Sequence, residues 1–143
     1  MPYATQQMLT DRVGEPMLIL LTDRAAVPLG VIDVATLARA QADADAMVDG
    51  YLAGRYALPL TTVPALVADI DQAVTLWKLH TSDPEAKIKA DYDDALKRLK
   101  DIAQGVIRLT DVAGLEAPSS GASGVQITDR ERPFTETNMK GFI

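Results

Sequence analysis

The sequence predicts an all-α fold: a small helical bundle with short N-terminal helices and an extended, mostly irregular C-terminal arm. Three observations lead there. Apolar residues recur at three-four spacing along three long stretches between Val34 and Gly105. Hydrophobic residues make up 48% of the chain but aromatic ones only 5%, a balance that suits an aliphatic core carried on helices. Helix start and stop signals bracket each periodic stretch. At 143 residues the chain has the length of a domain with one continuous core, and we expect a helical domain over residues 1–114 and a linker and arm over 115–143.

Thr5 is placed to cap a short helix ending near Gly14, and Glu15-Pro16 can open a second short one carrying Met17 to Leu21. The stretch TDRAAVPLGVID, Thr22 to Asp33, reads as a loop because of Pro28 and Gly30, and Asp33 can cap the helix after it. From Val34 to about Gly54 the chain is rich in alanine, and Val34, Leu37, Ala38, Ala44, Val48, Tyr51 and Leu52 line one side of a helix. Thr62 before Pro64 signals the next helix, which runs to about His80 with Val63, Leu66, Val67, Ile70, Ala73, Val74 and Trp77 on its apolar face. Trp77 is expected to anchor the core.

SDPE, Ser82 to Glu85, combines capping residues, a proline and an acid, and predicts a helix start. Ile88, Tyr92, Ala95, Leu99 and Ile102 then repeat until Gly105 closes the helix. Acid-before-base pairs four apart, Glu85 with Lys89, Asp93 with Lys97 and Asp94 with Arg98, would add about 0.2–0.5 kcal/mol each. The short connection at residues 81–83 forces the helices on either side to be antiparallel neighbours. Beyond Leu109 the composition changes. GLEAPSSGASG is a small-residue linker, VQIT could form a brief strand, and the polar run after it is punctuated by Phe134, Met139, Phe142 and Ile143. Composition alone predicts disorder for Leu115 to Ile143, while its spaced apolar residues suggest docking on a neighbour.

Composition excludes more functions than it establishes. The net charge of -6 is spread thinly and no segment is basic, which argues against a reader of DNA that works by phosphate neutralisation. The absence of cysteine removes disulfides, thiolate nucleophiles and Cys-type metal sites. The start MPYATQQM lacks the features of a signal peptide, and MLILL is too short to span a bilayer, so neither secretion nor a membrane is expected.

The densest acidic run, DADADAMVDG, fails as a calcium loop because Val48 and Gly54 stand where glycine and glutamate are needed. On a helix Asp45 and Asp49 share a face while Asp43 points elsewhere, so Asp43, Asp45 and Asp49 read as a solvated or interface-facing strip. His80, the sole histidine, suits a helix C-terminus, and the linker serines Ser119, Ser120 and Ser123 have no orienting base nearby. No active site is recognisable; neither an enzymatic activity nor a metal or other cofactor is expected. VDGYLAGRYALPL, Val48 to Leu60, is a helix end unusually rich in special residues: Tyr51, Arg55, Tyr56 and Leu58 either pack a helix-to-helix corner or form a subunit contact.

YATQQML, LILLTDR, ARAQADADAMVDGYLAGRYALPL, DYDDALKRLKDIAQG and FTETNMKGF, in this order along nearly the whole chain, resemble the head-to-tail connector family of Mu-like tailed phages and prophages, adaptors of the head-completion type. The resemblance implies a structural protein of the virion neck, made and assembled in the host cytoplasm. Its implied partners are copies of itself in a ring, twelve by analogy with portal-bound adaptors, the portal protein and a downstream neck or tail-completion protein. Genomic DNA would pass through without sequence-specific binding. On this reading Tyr51, Arg55, Tyr56, Leu58, Phe134, Met139, Phe142 and Ile143 are candidate subunit or portal contacts, and Asp43, Asp45 and Asp49 candidate channel-facing acids. In many relatives the loop after LTDR is rich in aspartate and glycine; here it reads AAVPLG, so no ion-binding role carries over to it. The rival readings, a metal-dependent enzyme built on the three aspartates and a helical DNA-binding regulator, would need converging carboxylates and a basic recognition helix respectively.

Overall fold

Two of the five helices, the first and the third, begin at side-chain caps expected from the sequence. A computed structural model describes residues 2–110 and 112, within which the chain forms α1 (Gln6–Val13), α2 (Glu15–Thr22), α3 (Val34–Leu52), α4 (Ala65–Leu79) and α5 (Ala86–Gln104) and no strand. The fold among the described residues is all-α. The segment read as a brief strand, VQIT, and the boundary expected after residue 114 lie outside them.

Thr5 caps α1, its hydroxyl accepting from the Met8 N–H at 3.3 Å. Gly14, at φ 84°, ends α1 and lets α2 begin one residue later, a sharp turn that an L side chain would strain. Asp33 caps α3, accepting from the Ala35 N–H at 3.0 Å and the Thr36 hydroxyl at 2.6 Å, and these bonds hold its carboxyl below the usual carboxylate range. Gly105 closes α5 in the left-handed conformation, with the Val106 N–H reaching back to the Asp101 carbonyl at 2.9 Å.

The two remaining starts differ from expectation. Pro64 itself takes the extended N-cap position of α4, so Thr62 lies outside the helix and caps nothing. Likewise Glu85 is the N-cap of α5, and neither Ser82 nor Asp83 reaches its backbone. In both cases the helix starts two or three residues beyond the capping residues expected from the sequence.

α4 is the central element and packs against both α3 and α5. One core joins Val48 and Leu52 of α3, Val67, Ile70 and Val74 of α4, and Leu99 and Ile102 of α5, all at most 1% exposed. A second lies towards the other end of α3 and α4, where Leu37, Leu76 and Leu79 meet Leu9 of α1 and Leu18 of α2. Each fully buried aliphatic side chain contributes about 1.5–3 kcal/mol, so the short N-terminal helices add materially to stability by closing this end. Trp77 is only half-buried: it stacks on Tyr92 of α5 with ring centroids 4.6 Å apart and planes 7° from parallel, at the edge of the core instead of its centre. His80 follows the last turn of α4, its Nδ1 2.7 Å from the Leu76 carbonyl oxygen.

The three predicted intrahelical ion pairs of α5 do not form. Instead Arg98 crosses to Asp69 of α4 at 3.0 Å, Arg12 of α1 meets the same carboxylate at 2.7 Å and Asp91 at 3.6 Å, and Lys87 pairs with Asp91 at 2.6 Å. The Lys87 contact, with Arg12 adding to it, holds the Asp91 carboxyl below its ordinary value. Arginine is long enough to prefer a partner on the neighbouring helix, and two arginines sharing Asp69 tie three helices together.

Candidate functional site

The corner at Val48 to Leu60 resolves into distinct roles. α3 ends at Leu52, whose carbonyl accepts from both the Arg55 and Tyr56 N–H groups at 2.9 Å, reversing the chain within one turn. Tyr56 turns inward: it is 8% exposed, packs in the first core, and its hydroxyl accepts from the Leu109 N–H at 3.0 Å. Arg55 lies over Gly105, so closely that a Cβ there would collide with its guanidinium. Tyr51 and Leu58 are half-buried against the same core. Tyr56 is therefore committed to its own chain, while Tyr51, Arg55 and Leu58 keep part of their surface open. Phe134, Met139, Phe142 and Ile143 lie outside the described residues.

The aspartates divide as helical spacing requires. Asp43 is exposed and stands apart. Asp45 and Asp49 seat the N-terminal segment: Asp45 Oδ1 accepts from the Tyr3 N–H at 2.9 Å, and Asp49 Oδ1 accepts from the Tyr3 hydroxyl. Gln41, one turn earlier on α3, donates to the Ala4 carbonyl at 2.8 Å. Tyr3 and Ala4 are buried in consequence. Burial, with the Asp49 carboxylate accepting its proton, raises the Tyr3 pKa, and burial also raises that of Asp45.

Facing this seat from α4 is Asp71, fully buried, with no hydrogen-bond partner on either carboxylate oxygen among the described residues. Burial first, and then the charge of Asp45, push its pKa up to about 7; the Ala4 backbone N–H pulls the other way without completing a bond. Thr75, one turn further along α4, is likewise buried and unpartnered among them. Among the described residues no three carboxylate or histidine side chains converge in a geometry that could hold a metal ion. The arrangement holds protons and positions a chain segment. Sequence reasoning missed Asp71, although a signal was present: it falls four residues after Val67 and three before Val74, on the buried stripe of α4.

A second surface also escaped notice. Leu20, Val27, Leu29, Val31 and Val34 are 57–75% exposed and follow one another along the chain from α2 to the start of α3. The loop between α2 and α3, which carries Val27, Leu29 and Val31, is braced by hydrogen bonds. The Asp23 carboxylate accepts from the Leu29 N–H at 2.7 Å and the Gly30 N–H at 2.9 Å, the Thr22 hydroxyl accepts from the Asp33 N–H at 3.1 Å, and Arg24 donates to the Leu79 carbonyl at 2.7 Å. So many aliphatic residues in a segment rich in turn signals were the clue available in the sequence.

Comparison with known proteins says where this bundle belongs. The family model described as "Bacteriophage Mu, Gp36" matches residues 3–127. The chain belongs to this family. Among relatives of this Gp36-family chain, "Gene product J" of Escherichia phage Mu is 35% identical over 143 residues, covering all of both chains. "Mu-like prophage FluMu protein gp36" of Haemophilus influenzae is 29% identical over 112 residues, 78% of this chain and 79% of the relative. The expected family of Mu-like phages and prophages is thereby established for the Gp36-family chain, whose described helices include none long and apolar enough to cross a membrane.

Proposed function

We propose that this phage protein is a structural component of the virion neck, a head-to-tail connector adaptor that docks on the portal as a ring and extends the DNA channel towards the tail. The observation that carries the reading is full-length similarity to a gene product of phage Mu in a chain that folds as a small helical bundle with an ordered apolar loop open to solvent. Such a loop is costly on a monomer and useful on a subunit. The charge supports the same view. A conduit for DNA should not grip phosphates, and twelve copies at -6 would place about -72 charges around the passage, with Asp43, exposed on α3, a candidate for its lining.

The partners proposed are further copies of the chain, the portal protein and a downstream neck or tail-completion protein, with DNA passing unread. The open parts of Tyr51, Arg55 and Leu58, together with the C-terminal segment, are the candidate contacts. Co-expression with the portal protein of the same phage, followed by electron microscopy, tests this directly. A ring of the protein at the tail-facing end of the portal is expected. Portals that remain bare beside abundant folded protein, or tailed virions assembled normally without it, would overturn the reading.

A further inference from the structure

The exposed loop invites a partner, and the chain supplies one. We propose that in the free subunit the C-terminal segment, residues 125–143, covers the loop of its own chain, with Phe134, Met139, Phe142 and Ile143 seated against Leu20, Val27, Leu29, Val31 and Val34. The proposal concerns the isolated protein, and its test involves no portal, so its failure is distinguishable from failure of the connector reading.

Three observations converge on this occupant. The first is chemical: the loop displays aliphatic side chains 57–75% exposed, whereas residues 125–143 carry apolar residues at spaced positions with balanced charge, three acidic against three basic. The second is order. The bonds from Asp23, Thr22 and Arg24 fix the loop before anything binds, so a partner need not meet the cost of ordering it.

The third is reach. The chain leaves the bundle at Val112, which packs on the first core with Ile107 and Leu109, towards the end where α3 finishes; the loop lies at the end where α3 begins. That separation is the length of α3, 19 residues or about 28 Å. Twenty-two residues of chain separate Val112 from Phe134, and a chain of that length can reach at most about 73 Å, more than this separation. Tethered within reach, the segment acts at its own loop at an effective concentration on the order of millimolar. At ordinary protein concentrations this outcompetes a second copy. In a ring, the same contact can be exchanged between neighbours without new chemistry.

Hydrogen exchange on the full-length isolated protein tests the proposal. Amides of residues 134–143 should exchange about tenfold more slowly than in a synthetic peptide of residues 125–143, equally at low and high protein concentration, and the paired substitutions Val27→Ser and Leu29→Ser should abolish the difference. Exchange at the free-peptide rate, or protection that survives the loop substitutions, overturns it. So does protection that grows with concentration, which would make a second copy the occupant. A cysteine pair, Leu29→Cys with Phe142→Cys in a chain that has no cysteine of its own, gives an independent reading. Oxidation should yield an internally linked monomer; linked dimers alone, or no disulfide, count against the contact.

Discussion

Tyr56 shows how one residue can decide what a segment is for. The run GRYALPL offers tyrosine, arginine and leucine in close succession, and sequence spacing favours a packed corner while leaving a subunit contact open. The structure separates them residue by residue. Tyr56 buries its ring and accepts the Leu109 N–H, which fastens the chain after α5 to the corner after α3, while Arg55 lies across the glycine that ends α5. Removing only the hydroxyl therefore has a local and measurable effect. Tyr56→Phe keeps the ring packing but leaves a half-buried N–H without its partner, at a cost of about 1 kcal/mol in urea-induced unfolding. The Leu109 amide should exchange faster in the variant while those of α3 do not. An unchanged Leu109 amide would mean that the hydroxyl is dispensable to this junction.

At the scale of elements, the helices were legible because their signals are local. Thr5, Asp33 and Gly105 each act within a few residues of where they stand, and the three-four rhythm of α3, α4 and α5 reports their buried faces directly. What was illegible depends on residues distant in sequence. The seat for Tyr3 is made by side chains 42 and 46 residues away, and no periodicity encodes that meeting. The ion pairs of α5 were misassigned for the same reason, since Asp94 is available one turn from Arg98 yet Asp69 lies within reach on α4. Asp69 is consequently the joint between α1, α4 and α5. Asp69→Ala releases two arginines at once, but the carboxylate is 48% exposed, so the expected loss is about 0.5–1 kcal/mol and should shrink in 1 M salt. A loss that is just as large in high salt would show that packing, not charge, joins these helices.

For the molecule as a whole, the buried Asp71 sets how stability responds to pH. Its carboxyl holds a proton more tightly when folded, with a pKa of about 7 against 3.8 for the ordinary group, because it is buried facing Asp45 and Asp49 from α3 and has no hydrogen-bond partner among the described residues. A pKa raised by folding stabilises the folded state fully below the unfolded value and progressively less as pH climbs. Stability should therefore fall between about pH 4 and pH 7 and level off above, by roughly 2–4 kcal/mol in all. Asp45, also raised by burial, tilts the profile in the same direction. Asp91, lowered by Lys87 and Arg12, acts oppositely but lies nearer the surface, where screening weakens it. Asp71→Asn keeps the shape and removes the ionisation, so it should flatten the profile between pH 5 and pH 8 and make the protein more stable than the natural sequence at pH 8, by about 1–3 kcal/mol. Urea titrations at pH 5, 6.5 and 8 on both proteins decide the matter. Parallel profiles would show that the slope arises elsewhere, whereas a difference that shifts steadily in favour of Asp71→Asn from pH 5 to pH 8 would place the pH response of the bundle on one proton under its N-terminal segment.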